Sequence, residues 1–405
     1  MVKYQVREID DGVWLLRLDD DRTGFFEAAW SIPEGITYNS YLLRAPDGFV
    51  LIDTWKGAYS EQFIDALREV VDPRRITHVV VNHAEPDHTG GIPAVIREAG
   101  GPKIVVHPSG ERVLRAKYGE LGEVVKVEGT KRITISGEEF LVAHVPWVHW
   151  PETVFTYQPS RRILYTCDVF GSYSIPGGYL ADPSDPSYLR SAEKYLVTVM
   201  GHYREHVLRA VEKVRSLGVS ISRVAPSHGG VWEGDPEVPM KLFEDFARGT
   251  PRLGGVALAY VTMYGSVEGA VSMLNGELIK RGISVSSFAA NDVDRGSPED
   301  FMTRANAASA VVLATPTYDS EVHPRMEYLL YLIRSKMKGT GKPVAAMVSY
   351  AWGSNAAKRV ENALREADLR ILGVESFRER PTPEQVAGIA DAVAEAERGR
   401  SISPG

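Results

Sequence analysis

The stretch VVVNHAEPDHTGG, residues 79–91, decides how the first half of the chain is read. A β-branched apolar run ends at Val81, and four ligand-type side chains follow within six residues: His83, Glu85, Asp87 and His88. In extended backbone, residues two apart point the same way, so His83 and Glu85 reach one metal ion. Asp87 and His88 come off the following turn and reach a second. The pair Gly90–Gly91 lets a helix start close behind. One histidine in a polar loop is ordinary; four such residues directly after a buried strand point to a metal centre.

The stretch resembles the H-x-[HE]-x-D-H signature of the metallo-β-lactamase fold, an αββα sandwich with a dinuclear metal site at one edge. The resemblance implies a further His after a late strand, an Asp after the next hairpin and a final His far downstream. VHWPETVF supplies His149, RILYTCDVFGS supplies Asp168 and APSHGG supplies His228. His144, within the strand EEFLVAHVP, competes with His149, but the H-x-P turn matches the ligand loop of the fold. His78, His107, His202, His206 and His323 lack ligand-like neighbours and read as ordinary surface or core residues. Dizinc hydrolases of this fold usually carry His at the second signature position, where this chain has Glu85. The carboxylates Glu85, Asp87 and Asp168 make an oxygen-rich set that suits iron cycling between +2 and +3. Ligand type alone leaves zinc open.

Around these residues the first 250 positions mix short strands with a few helices. YLLRAPDGFVLIDT (41–54) reads as two strands about a Pro-Asp-Gly turn. Residues 59–70 read as a helix, strands crowd together over 123–168, and one long helix is expected near 190–218, ending at a C-cap-like Gly218. ARGTPRLGG reads as a linker, giving domains at 1–250 and 251–405. Beyond it strands (255–261, 283–288, 309–315, 343–349, 370–375) alternate with helices (266–281, 298–307, 322–336, 354–367, 383–397). That alternation predicts a doubly wound parallel sheet. The tail RGRSISPG is expected to fray.

The first strand of the second half, GVALAYV, runs into TMYGSVEGA, which opens a helix with Thr262, Met263, Tyr264, Gly265, Ser266 and Val267. A helix N-terminus offers backbone N–H groups to an anion, and in a flavodoxin-like sheet the FMN phosphate sits there. TPTYDS (Pro316, Thr317, Tyr318, Asp319) and SYAWGSN (Ala351, Trp352, Gly353) would line the isoalloxazine, with Trp352 or Tyr318 stacking. Other doubly wound domains fit less well. No acidic pair ends the first strand, as a receiver domain would need. GTGKP at 339–343 fails as a P-loop, and no G-x-G-x-x-G or G-x-S-x-G occurs.

Both constellations on one chain, in this order, resemble the flavodiiron proteins (A-type flavoproteins) over nearly the whole length. The resemblance implies an N-terminal metallo-β-lactamase-like αββα sandwich and a C-terminal flavodoxin-like sheet. One iron would be held by His83, Glu85 and His149, the other by Asp87, His88 and His228, with Asp168 bridging. It further implies FMN as second cofactor, and reduction of dioxygen to water, of nitric oxide to nitrous oxide, or of both. The electrons would come from an external donor, a rubredoxin or a reduced deazaflavin coenzyme. A head-to-tail homodimer, or a dimer of such dimers, is expected. The phosphate loop departs from the family at Val267, where Thr is usual, which removes one hydroxyl worth about 1 kcal/mol. Ala351 and Asp319 stand where Gly and Asn are common. The competing readings are a dizinc hydrolase with a flavodoxin-like appendage and a redox carrier with a dead metal site.

Composition bounds these readings. Of 405 residues, 44% are hydrophobic and 24% charged, ordinary for a globular chain with a sizeable core. A net charge of −7 argues against a broad nucleic-acid-binding face. The single cysteine, Cys167, excludes an internal disulfide, a rubredoxin centre and an iron–sulfur cluster; it reads as a small buried side chain. The opening MVKYQVREIDDGVW has no apolar h-region and no apolar run reaches about 18 residues, so a cytoplasmic protein without a membrane span is expected.

Overall fold

The structure is a computed structural model that describes residues 3–353 and 355–399. The tail expected to fray lies, beyond Gly399, outside the described residues. The chain divides into two compact units: one runs to Leu196 and includes Tyr203–Glu244, the other comprises Val197–His202 and the chain from Asp245.

The first unit holds two sheets. In one, seven strands follow chain order from Lys3–Asp10 to Val124–Lys126. Its first four strands pair antiparallel, and Gly48–Ile52, Ile76–Val80, Lys103–Val106 and Val124–Lys126 pair parallel. The second sheet has six strands, among them Glu138–His144, Val154–Gln158, Ile163–Cys167 and Arg223–Pro226. Their inner faces meet in one apolar layer: Val13, Leu15, Tyr41, Val50 and Ile52 against Phe140, Val142, Val154, Ile163 and Tyr165. Leu16, Leu42 and Leu51, one residue out of phase, are equally buried on the opposite face. Helix Ser60–Arg68 packs against the first two strands. This is the αββα sandwich, metallo-β-lactamase-like.

The long helix expected over 190–218 is two helices. Pro186–Tyr195 runs into a widened π-turn over Leu196–Met200 and a 3-10 turn over Gly201–Tyr203, and Arg204–Ser216 then continues. The β-branched Val197, Thr198 and Val199, followed by Gly201, are poor helix formers. Gly218 does take the left-handed cap conformation at φ +63°.

The second unit is a parallel sheet in the order Val285–Ala290, Val256–Val261, Ala310–Tyr318, Pro343–Tyr350, Arg370–Arg378. This is the flavodoxin-like doubly wound order. Central strands are buried on both faces, as the unbroken apolar runs require (Val311–Ala314, Val344–Val348). The core joins Leu258, Val312 and Met347 to Leu274, Leu278, Ile389 and Val393 of the covering helices. Lys342 is wholly buried, its ammonium donating to the carbonyls of Gly249, Asn306 and Ala308 at 2.7–2.8 Å. Among the described residues no helix is long and apolar enough to cross a membrane.

Candidate functional site

Strand Ile76–Val80 ends below a loop whose backbone is pinned from beneath. Asp53 accepts from the Asn82 N–H at 2.8 Å, and burial pushes its carboxyl up to about 7. Glu85 is still extended (ψ 146°), which keeps it on the same side as His83. Pro86 then starts a single helical turn, Pro86–Thr89, that carries Asp87 and His88. The His88 carbonyl accepts from the Thr54 N–H at 2.7 Å and its hydroxyl at 2.9 Å, and the Gly91 N–H reaches the Trp55 carbonyl at 2.9 Å.

The other residues arrive from the second sheet. Asp168 and His228 follow the ends of the neighbouring parallel strands Ile163–Cys167 and Arg223–Pro226. Cys167, buried with φ +50°, turns the chain so that Asp168 leaves the strand inward. The structure brings all seven predicted metal residues together, in the groups His83, Glu85, His149, Asp168 and Asp87, His88, His228. His144 stays outside them: its Nε2 binds the Pro151 carbonyl at 2.7 Å and its ring stacks on His107 at 4.2 Å. His107 and His323 instead cap helices, each accepting a backbone N–H two residues on.

The spacing within the groups is that of donors around shared ions. Glu85 Oε2 lies 3.1 Å from His83 Nε2 and 2.9 Å from His149 Nε2. Asp168 faces both groups. Its Oδ2 is 3.5 Å from His83 and His149, and its Oδ1 is 3.0 Å from His88 and 3.2 Å from His228. Asp87 Oδ2 is 3.5 Å from His228 Nε2. Donors about 2.1 Å from one ion sit about 3.0–3.4 Å apart in octahedral or tetrahedral geometry. Asp87 Oδ1, Asp168 Oδ2 and His228 Nε2 are buried and crowded yet form no hydrogen bond among the described residues, as atoms aimed at a common cation would.

Electrostatics agree with that fit. Burial alone would raise the Asp168 carboxyl, but His88, His149 and His228 hold it well below the usual range. Glu85 is held low in the same way, by His149 and His83. Burial would lower His149 and His228, and the facing carboxylates instead lift them to about 9 and about 10. A cavity of about 340 Å³, lined by Phe25, Phe26, Tyr38, Lys56, Glu85 and Asp87, opens beside the groups. The hydroxyl of Tyr195 donates to Asp168 Oδ1 at 2.8 Å, and Glu152 touches His83. Neither was singled out from sequence. Tyr195 closes helix Pro186–Tyr195 and carries no local signal; Glu152, a charged residue two positions before the buried strand Val154–Gln158, carries one.

In the second unit, the three loops proposed to hold flavin leave the C-terminal ends of adjacent strands. Gly265, at φ +88°, turns the chain into helix Ser266–Lys280. Thr262 Oγ1 is buried without a hydrogen-bond partner at this helix start, and Ser266 Oγ lies 3.2 Å from Ser349 Oγ. Trp352 is 83% and Tyr264 95% exposed, so flat aromatic faces stand free at this edge. An orphan hydroxyl, a helix N-terminus and exposed rings fit a phosphorylated flavin. Val267, in contrast, packs within the apolar core.

Comparison with known proteins follows the same division. The model of the ODP family beta lactamase matches residues 36–229. A nitric oxide reductase of Moorella thermoacetica is 27% identical over 369 residues, 90% of each chain. A type A flavoprotein of Rhodobacter capsulatus is 28% identical over 96% of this chain and 88% of its own. A solved flavo di-iron protein from Thermotoga maritima is 34% identical with a TM-score of 0.91, covering 98% of this chain and all of that one. The rubredoxin oxygen:oxidoreductase of Desulfovibrio gigas shares the fold at 22% identity and a TM-score of 0.90 over 98% of this chain and 99% of that one.

Proposed function

The chain belongs to the flavodiiron protein family, and on that premise we propose that it is an oxidoreductase that reduces dioxygen to water, nitric oxide to nitrous oxide, or both. The observation that carries this reading is Asp168, whose two oxygens face two separate donor groups. One carboxylate shared by two donor groups fits a dinuclear centre, and Glu85, in place of the His usual in dizinc hydrolases of this fold, favours iron over zinc in it.

His83, Glu85 and His149 would hold one iron, Asp87, His88 and His228 the other, in a domain spanning 1–250. Thr262–Val267, Pro316–Asp319 and Ala351–Gly353 would hold FMN in a domain spanning 251–405. When bound, two ferrous ions and a reduced FMN supply four electrons, which with four protons convert dioxygen to two waters; two electrons and two protons convert two nitric oxides to nitrous oxide and one water.

The chain's own residues set the stage. Asp168, Glu85 and Asp87 balance the positive charge of the centre. The Tyr195 hydroxyl fixes Asp168 Oδ1 at 2.8 Å, so the carboxylate keeps both oxygens in place. Phe25, Phe26 and Tyr38 give the cavity an apolar wall that admits a small uncharged diatomic. One cysteine is too few for a rubredoxin centre within these 405 residues, and the reading takes a rubredoxin or a reduced deazaflavin coenzyme as electron donor. A head-to-tail homodimer is the expected working form. Thr262 would give the FMN phosphate one hydroxyl, and Val267 none.

The test is metal and flavin analysis of the purified protein, followed by oxygen and nitric oxide consumption after full reduction. Two irons, one FMN and turnover of either gas are expected. Colourless protein holding only zinc, or an Asp168→Asn variant that turns over at the wild-type rate, overturns the reading.

A further inference from the structure

Glu152 stands behind the metal residues. It is 2% exposed. One oxygen, Oε1, takes two hydrogen bonds: from the Ala84 N–H at 3.0 Å and with His83 Nδ1 at 2.9 Å. Thr153 Oγ1 lies 3.4 Å from the same nitrogen, the weaker of the two contacts. A carboxylate accepts only, so His83 carries a proton on Nδ1 and leaves Nε2, the atom that faces Glu85 and Asp168, as the one offered to the ion site. The two donor groups therefore differ. His228, in the other group, has Nδ1 at 2.6 Å from the neutral carbonyl of Thr37. An anion behind an imidazole raises its basicity more than a carbonyl does.

We propose that Glu152 is a positioning residue that makes the ion site of His83, Glu85 and His149 the more electron-rich of the two, so that this iron is oxidised first. The inference rests on the diiron reading above. Beyond the shared Asp168, this site has two carboxylates within reach, Glu85 directly and Glu152 through His83, against Asp87 alone at the other. The fold makes room for the arrangement at Gly110, on helix Pro108–Tyr118. A Cβ there would meet Glu152 Cγ at 3.2 Å and Val106 Cγ2 at 2.8 Å. The Trp150 ring packs T-shaped against His83 with ring centroids 5.1 Å apart. The histidine is thus held between a carboxylate and a ring.

The experiment uses the full-length protein as purified with its metals, and compares wild type with Glu152→Gln, Glu152→Ala and Gly110→Ala. Iron per chain, iron retention against a chelator and the mixed-valence signal during a redox titration are measured. Glu152→Gln keeps an acceptor for His83 but loses the charge: it should retain two irons, with the first oxidation shifted to higher potential. Glu152→Ala loses the acceptor too, and should release one of its two irons about 10–100-fold more readily. Gly110→Ala should weaken iron retention in the same direction with the carboxylate intact. Wild type with two irons, and both Glu152 variants with unshifted potential and retention, would overturn this inference alone. Wild type without iron would overturn the diiron reading, and this inference with it.

Discussion

Gly90 is the position where a single methyl group should do most damage. Its backbone is helical, φ −61°, so alanine brings no backbone strain. What is missing is room. A Cβ at Gly90 would lie 2.1 Å from the Gly57 nitrogen, 2.6 Å from the Pro86 carbonyl oxygen and 2.7 Å from the Gly57 Cα. These are backbone atoms, which no rotamer change relieves. Real Cβ atoms stay at least 3.0 Å from such neighbours, so the two turns must part by about 0.9 Å. Asp87 and His88 ride on the turn that Gly90 closes. Designed sites tolerate about 0.5 Å of misplacement, and about 1 Å costs about 100-fold in rate. Overpacking adds about 1–3 kcal/mol of destabilisation, or roughly 2–12 °C in Tm for a unit of this size. Gly90→Ala should therefore fold, hold one iron rather than two and consume dioxygen and nitric oxide about 100-fold more slowly. Iron analysis, gas-consumption rates and a thermal melt by circular dichroism check this. Glycine to alanine in an unstrained helical turn ordinarily stabilises, so the sign discriminates. A variant with two irons and the wild-type rate, or with a raised Tm, would refute the steric reasoning.

Four more expectations follow from the geometry. His149 and His228 of the metal-free chain hold protons up to about pH 9 and 10, so iron must displace them; loading should release protons, and apparent affinity should climb from pH 6 to 9, as a pH-stat titration would record. The same raised values stabilise the metal-free chain fully below the ordinary histidine value of 6.5, and that contribution fades as pH rises through 9–10; melts of the metal-free protein across this range that show no decline would contradict it. Lys342→Met removes a donor from three buried carbonyls and should cost about 3 kcal/mol or more, read from urea unfolding of the flavin-free protein. Thr262→Val deletes an orphan hydroxyl, so it should leave flavin-free stability unchanged while weakening FMN about fivefold, the equivalent of one hydrogen bond; equal flavin dissociation constants would exclude Thr262 as a phosphate contact.

How much of this was legible depended on how local the signal was. His83, Glu85, Asp87 and His88 sit on one loop, and two-residue alternation followed by a proline-started turn is written into the sequence there. His149, Asp168 and His228 come from three other loops, and a family resemblance rather than spacing pointed to them. The flavodoxin-like order was readable because parallel strands force alternating helices and unbroken apolar runs. The break at Leu196–Tyr203 was not, because no Pro marks it, and the three β-branched residues Val197, Thr198 and Val199 with Gly201 widen the turn only locally. Tyr195 and Glu152 are contacts of long sequence separation, 27 residues to Asp168 and 69 to His83, and no local pattern names those partners.

The parallel pairing of Ile163–Cys167 with Arg223–Pro226 also bears on how the protein comes to life. Cys167 sits opposite Pro226 in that ladder, so the gap between Asp168 and His228 is set by strand register. A slip of one residue would displace them by about 3.3 Å and turn each strand's side chains over. The intervening crossover must close before the ladder can zip, and long closures are slow. Both ladder strands and the first loop must therefore be in place before all seven donors meet.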